Sequence, residues 1–244
     1  MLTTLRCRVV FLYVIKPSTQ DEVIEISLYS EWKGFDHMDI PKFHVITTDK
    51  QPIEEVRDIL TAIVPFAGAI HIREKKKTAK QIQCLLESLP FCRSKIIVND
   101  RVDVAHALKA KGVQLAYHSL DVSCVRDAFP SLIVGKSVHS VEEALEAEKD
   151  GAHYILYGHI YSTHSKKELK SRGIAALKEV VDAVKIPVIA IGGITPVNAK
   201  EVLQTGAHGI AVMSGVMLAQ DPLKAIKQYS HIWTSGGGEN EAAL

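Results

Sequence analysis

From Phe43 onward the chain alternates short apolar runs with segments of helical period. The runs begin near Phe43, Ala69, Lys95, Val113, Leu132, His153, Pro187 and His208. The first, Phe43-His44-Val45-Ile46-Thr47, is β-branched and aromatic, a composition that suits a strand. Between the runs lie amphipathic stretches that predict helices: Pro52 to Val64, Ala79 to Leu89, Ser140 to Lys149, Ile174 to Val184 and Asn198 to Thr205. Eight strand-and-helix units are the count of a single (β/α)₈ TIM barrel of the α/β class, and the chain from Met38 onward has the roughly 200 to 250 residues such a barrel needs. Alternation alone also admits a doubly wound open sheet; the count of eight favours closure.

Residues 1–37 lack this rhythm. Their apolar scraps, Val9 to Val14 and Val23 to Leu28, are separated by turn residues, so the segment reads as an appendage, either a mis-assigned start or a disordered extension. Met38 is then the true or an alternative start, the barrel spans 38–234, and residues 235–244, with Gly236-Gly237-Gly238, form a frayed tail.

Composition narrows the function classes. A hydrophobic fraction of 47% with 23% charged residues supports a packed soluble core and excludes a disordered or fibrous chain. The 29 Lys and Arg against 28 Asp and Glu leave no global field for nucleic acid or an anionic membrane, so any bound anion must be held locally. Cys7, Cys84, Cys92 and Cys124 form no CxxC pair and have no His at metal-ligand spacing, which predicts neither zinc nor a disulfide framework and fits a reducing cytoplasm. Val9 to Ile15 is too short to span a membrane, and Lys16-Pro17-Ser18-Thr19-Gln20 beyond it carries no cleavage site, which argues against export.

In a closed barrel, reactive side chains gather at the carboxyl ends of the strands. Here those ends read His71-Ile72-Arg73-Glu74, Asn99-Asp100-Arg101, Ser137-Val138-His139, Gly158-His159, Gly192-Gly193 and Met213-Ser214-Gly215. With a side-chain period of two, His71 and Arg73 share a face, as do Ser137 and His139. The glycine pair after strand seven and the Met213-Ser214-Gly215 turn after strand eight expose backbone N–H groups suited to a phosphate, with a helix N-terminus beyond adding its dipole; the alternative is a pair of tight turns. His139 is the acid/base candidate because imidazole takes and returns a proton near neutrality, set against a structural role capping the helix at Ser140, where Ser140 and Glu143 form a capping-box pattern. Arg73 either clamps an anion or pairs with Glu74 or Asp100. His159 ranks below His139, and His44, His106, His153, His208 and His231 read as packing or surface residues. Thr163 to Glu168 occupies the longest interval between runs and reads as a lid.

These segments, with Asn99-Asp100-Arg101-Val102-Asp103, Gly135 to Ala144, Lys166-Lys167, Ile191 to Ile194 and Gly209 to Gly215, resemble the thiamine phosphate synthase superfamily, and within it the TenI-type thiazole tautomerases, over Phe43 to Tyr229. Family synthases join a pyrimidine diphosphate to a thiazole phosphate and hold Mg²⁺ on two aspartates. Asp100 matches the first; the second segment reads Ala116-Tyr117-His118-Ser119 and lacks its carboxylate. The synthases' usual glutamine is His71 here.

The tautomerase resemblance implies isomerisation of a dearomatised carboxythiazole ethyl phosphate to the aromatic carboxythiazole phosphate, with no metal or organic cofactor. It assigns proton transfer to His139, the phosphate cradle to Gly193, Met213 and Ser214, the thiazole border to Thr163, Ser165 and Lys166, and the opposite wall to Arg73 and Asn99. It also implies a homodimer acting on a small phosphorylated thiazole, with no nucleic-acid or membrane partner. Thiamine phosphate synthesis and a non-catalytic regulatory barrel that binds a thiamine intermediate are the alternatives.

Overall fold

A computed structural model of the chain describes residues 39–163 and 170–234, and the chain divides at Met38/Asp39 into two units. The expectations for residues 1–37 and 235–244 lie outside the described residues. Eight parallel strands close into a barrel in sequence order. They are β1 Phe43–Ile46, β2 Ala69–Ile72, β3 Ile96–Asn99, β4 Gly112–Leu115, β5 Ile133–Val138, β6 Tyr154–Gly158, β7 Val188–Ile191 and β8 Gly209–Val212. The intervening helices are α1 Ile53–Ile63, α2 Ala79–Glu87, α3 Val102–Ala107, α4 Val122–Ala128, α5 Val141–Lys149, α6 Gly173–Ala183, α7 Ala199–Gln204, α8 Ser214–Met217 and α9 Pro222–Thr234. The barrel expected from the sequence is the observed fold. None of the described helices is long and apolar enough to cross a membrane.

The strands read as near-continuous apolar runs because both faces are covered. Outward residues such as Val45, Ile70, Val98, Val134 and Ile210 pack with Leu60, Leu85 and Leu177 of the helices in one buried cluster. Inward residues form a second cluster that includes Ile46, Ala69, Ile97, Ile133, Tyr154, Leu156, Ile189 and Ala211. One circuit of the pairing register displaces the strand by eight residues, the shear of a TIM barrel.

That shear sorts the inward side chains into layers drawn from alternate strands. Ile46, Asn99, Ser137 and Ile191 share one level; His71, Gln114, Leu156 and Ala211 lie beneath it; Arg73, Ala116, Gly158 and Met213 lie above. The hydrogen bond from Gln114 Nε2 to Ser137 Oγ, 3.1 Å, joins the first two.

Lower in the barrel, Gly135 supplies no side chain, and Tyr154 fills the space. A Cβ at Gly135 would fall 2.3 Å from the Tyr154 ring and 2.4 Å from Gln114 Oε1. Gly135→Ala is therefore expected to cost about 1–3 kcal/mol by overpacking, read as a lowered urea midpoint with an unchanged denaturant slope. An unshifted midpoint would refute the tight fit.

Candidate functional site

The turn from β5 into α5 consists of His139 and Ser140 alone. Inward parity along β5 runs through Ile133, Gly135 and Ser137 and continues to His139. Ser140 caps α5 by accepting from the Glu143 N–H at 3.2 Å. In a capping box the Glu143 carboxylate would return to the Ser140 N–H. Instead Glu143 Oε2 accepts from the backbone N–H of His139 at 2.7 Å and lies 3.5 Å from its Nδ1. His139 thus belongs to the helix entry through its backbone while its ring stays 36% exposed, so the capping and proton-transfer readings coexist.

The phosphate candidates converge from two paired strands. The β7–β8 register, Ile191 opposite Ala211, brings Gly193 alongside Met213. Gly193 has φ +67°, and a Cβ there would sit 2.7 Å from Tyr161 Cβ and 2.9 Å from the Ser162 carbonyl oxygen, so only glycine fits. Asn198 fixes this loop, accepting from the Thr195 N–H at 2.7 Å and donating to the Gly193 carbonyl at 3.1 Å. Tyr229 of α9 donates to the Ile194 carbonyl at 3.1 Å, and Tyr161 donates to Glu201 at 2.7 Å. Ser214 is exposed and opens α8, a helix of 4 residues whose dipole is correspondingly small.

Arg73 continues the inward parity of β2 and is half-buried; its backbone N–H donates to Thr47 Oγ1 at 2.8 Å. Among the described residues it makes no ion pair with Glu74, Asp100 or any other carboxylate, which removes the pairing alternative there. Glu74 is 4% exposed, and burial holds its carboxyl above the usual range. Asn99 closes β3 at half-burial, and Thr163 is half-buried in the loop after β6. Ser165, Lys166 and the proposed lid from His164 to Glu168 lie outside the described residues. His159 is buried; its Cα and Cβ press on Gly192, a packing position.

A pair of buried imidazoles beneath this mouth escaped sequence reasoning. His44 Nε2 lies 2.7 Å from the Pro41 carbonyl oxygen, which can only accept, so that nitrogen carries the proton. His44 Nδ1 then accepts from His71 Nε2 at 2.8 Å. Burial pushes His44 down to about 4 and His71 well below its usual value, with the neighbouring His44 adding to the effect on His71. Both are neutral at pH 7. The shared inward parity of the two strands was the signal available in the sequence.

The resemblance implies Mg²⁺ for the synthase branch, and the donor set at the ends of β3 and β4 does not fit it. Ser119 stands where the second carboxylate would be. Its hydroxyl accepts from the Ala116 N–H at 2.8 Å and donates to Asp100 Oδ1 at 2.6 Å, while His118 Nε2 lies 3.7 Å from Asp100 Oδ2. One carboxylate already engaged by a hydroxyl, with an imidazole beside it, is poor ligation for a hard cation that prefers several oxygens. Among the described residues no three His, Cys, Asp or Glu gather as a metal site.

Comparison with known proteins agrees with the fold and sharpens the family. Residues 43–216 match the family described as thiamine monophosphate synthase, TMP-TENI. The chain is 42% identical over 201 residues to the thiamine-phosphate synthase of Pyrococcus furiosus, covering 78% of this chain and 94% of that one. It is 43% identical over 207 residues to the thiamine-phosphate synthase of Chlorobium luteolum, covering 82% and 96%. The solved thiamine phosphate pyrophosphorylase from Pyrococcus furiosus superposes with a TM-score of 0.70 at 40% identity, over 80% of this chain and 96% of that one. These relatives carry the synthase name, so the comparisons support the superfamily and not the TenI-type branch within it. With a match across most of the barrel and relatives above 40% identity, the chain belongs to the thiamine monophosphate synthase family.

Proposed function

We propose that this chain isomerises the dearomatised carboxythiazole ethyl phosphate tautomer to the aromatic carboxythiazole phosphate, with His139 carrying the proton. One observation carries the reading: the corner where a synthase needs its second metal carboxylate is closed by the hydrogen bond from Ser119 to Asp100. A reaction that expels pyrophosphate needs charge neutralised there. A tautomerisation does not, because no leaving group departs.

The site has the parts for such a shift. Backbone N–H groups around Gly193 and Met213, with the Ser214 hydroxyl, hold the phosphate tail. The Arg73 fork faces the substrate carboxylate, with Asn99 on the same wall and Thr163 bordering the ring. His139 removes the proton from the ring carbon bearing the carboxylate, and the resulting electron pair delocalises toward the exocyclic alkene carbon. The imidazolium then returns its proton to that carbon, and aromaticity drives the exchange forward.

A second reading, thiamine phosphate synthesis, is favoured by the names of the relatives at 42% and 43% identity. One assay separates the two. Purified protein is given the thiazole tautomer in the presence of chelator, and separately the pyrimidine diphosphate with thiazole phosphate and Mg²⁺. Aromatisation followed by absorbance, undiminished by chelator, is expected. Mg²⁺-dependent release of pyrophosphate with formation of thiamine phosphate, and no aromatisation, would transfer the assignment to the synthase reading.

A further inference from the structure

The geometry points to Glu143 as a positioning residue that fixes the tautomer of His139: its carboxylate favours the Nδ1–H form, in which Nε2 carries the lone pair. This rests on His139 as the proton carrier of the proposed reaction. One oxygen, Oε2, accepts from the His139 backbone N–H at 2.7 Å and stands 3.5 Å from Nδ1, so main chain and ring are oriented by the same atom. The capping-box route to the Ser140 N–H is forgone for this contact.

The helix supplies the physical need. His139 precedes the N-terminus of α5, a 9-residue helix, and the positive end of its dipole disfavours an imidazolium. A base that must hold a proton between two carbons needs that disadvantage offset. A full negative charge 3.5 Å from Nδ1 outweighs about half a positive charge spread over the first turn. A carboxylate on one ring nitrogen also sets which nitrogen presents its lone pair.

Other charged and titratable groups lie in the same turn or at neighbouring strand ends among the described residues. Glu142 shares the first turn of α5, with its carboxyl held below the usual range by the Ser140 hydroxyl. Arg73 follows β2; Asp100 and Arg101 follow β3, the latter tied to Asp103; His118 follows β4 and His159 follows β6. Because Glu143 is 52% exposed, its influence on His139 is screened by solvent.

The test is a nitrogen-15 NMR titration of the His139 ring in the intact chain, wild type against Glu143→Gln. The amide retains an oxygen for the His139 N–H, so the turn is kept while the charge is removed. Expected are a lower midpoint and a tautomer population moving from Nδ1–H toward Nε2–H. With the thiazole tautomer as substrate, kcat falls roughly three- to tenfold, KM is unchanged, and the acid limb of the rate profile moves to lower pH. Glu142→Gln moves the midpoint less. An unshifted midpoint and tautomer ratio in Glu143→Gln, or an equal shift in Glu142→Gln, overturns the proposal. A wild type that fails to aromatise the tautomer overturns the proposed reaction instead, and the ring titration still decides the role of Glu143.

Discussion

Replacing His139 with asparagine is expected to slow aromatisation of the thiazole tautomer by roughly a hundredfold or more, the scale of a positioned general base. Asparagine is close to imidazole in size and polarity yet neither takes up nor releases a proton near neutral pH. The substitution keeps the backbone contact with α5: the N–H at 139 donates to Glu143, which any residue but proline provides, and the Ser140 cap is a separate bond. Circular dichroism melting is therefore expected to match the wild type while kcat collapses. Full turnover in the variant would take His139 out of the mechanism, whatever its place in the barrel.

The second large effect is on stability in mild acid. An unfolded imidazole takes up a proton around pH 6.5, whereas His44 accepts one only near pH 4 and His71 only well below its usual range, because burial penalises the charged ring. As pH falls through this window the unfolded chain binds protons that the folded chain refuses, so stability declines. At about 1.4 kcal/mol per unit, His44 alone accounts for roughly 3 kcal/mol lost between pH 6.5 and pH 4. His153, pushed down to about 4 by burial and by Arg126, acts in the same direction, reduced by its partial exposure. Glu74 opposes them, since its raised carboxyl binds its proton more tightly when folded. Asp103, held down by Arg101, contributes only at lower pH. Urea unfolding at pH 7, 5.5 and 4.5 checks this, with His71→Gln flattening the slope. Equal stability at pH 7 and 4.5 would contradict the neutral pair.

The strands were legible because each is a short apolar run between turn residues, and all eight begin within one residue of where the pattern places them. The helices α3 and α4, with 6 and 7 residues, are too short for a helical period to emerge. The strand-end candidates could be read for the same reason as the strands: parity carries Arg73, Asn99, His139, Gly193 and Met213 to one end of the barrel.

What sequence could not supply were contacts made by closure. His44 and His71 meet only through the β1–β2 register, and Ser119 reaches Asp100 from the next strand over. The choice of Glu143 between the N–H groups of Ser140 and His139 is likewise a matter of one residue in a turn, where pattern recognises the box but not its target.

Tyr154 leaves a different mark. One phenol ring occupies room that the bare backbone of Gly135 concedes. A larger side chain at 135 is not neutral while the ring remains, and a smaller residue at 154 leaves the space beside the bare Gly135 backbone empty. Drift at 135 and 154 must therefore proceed as a paired exchange, both codons together.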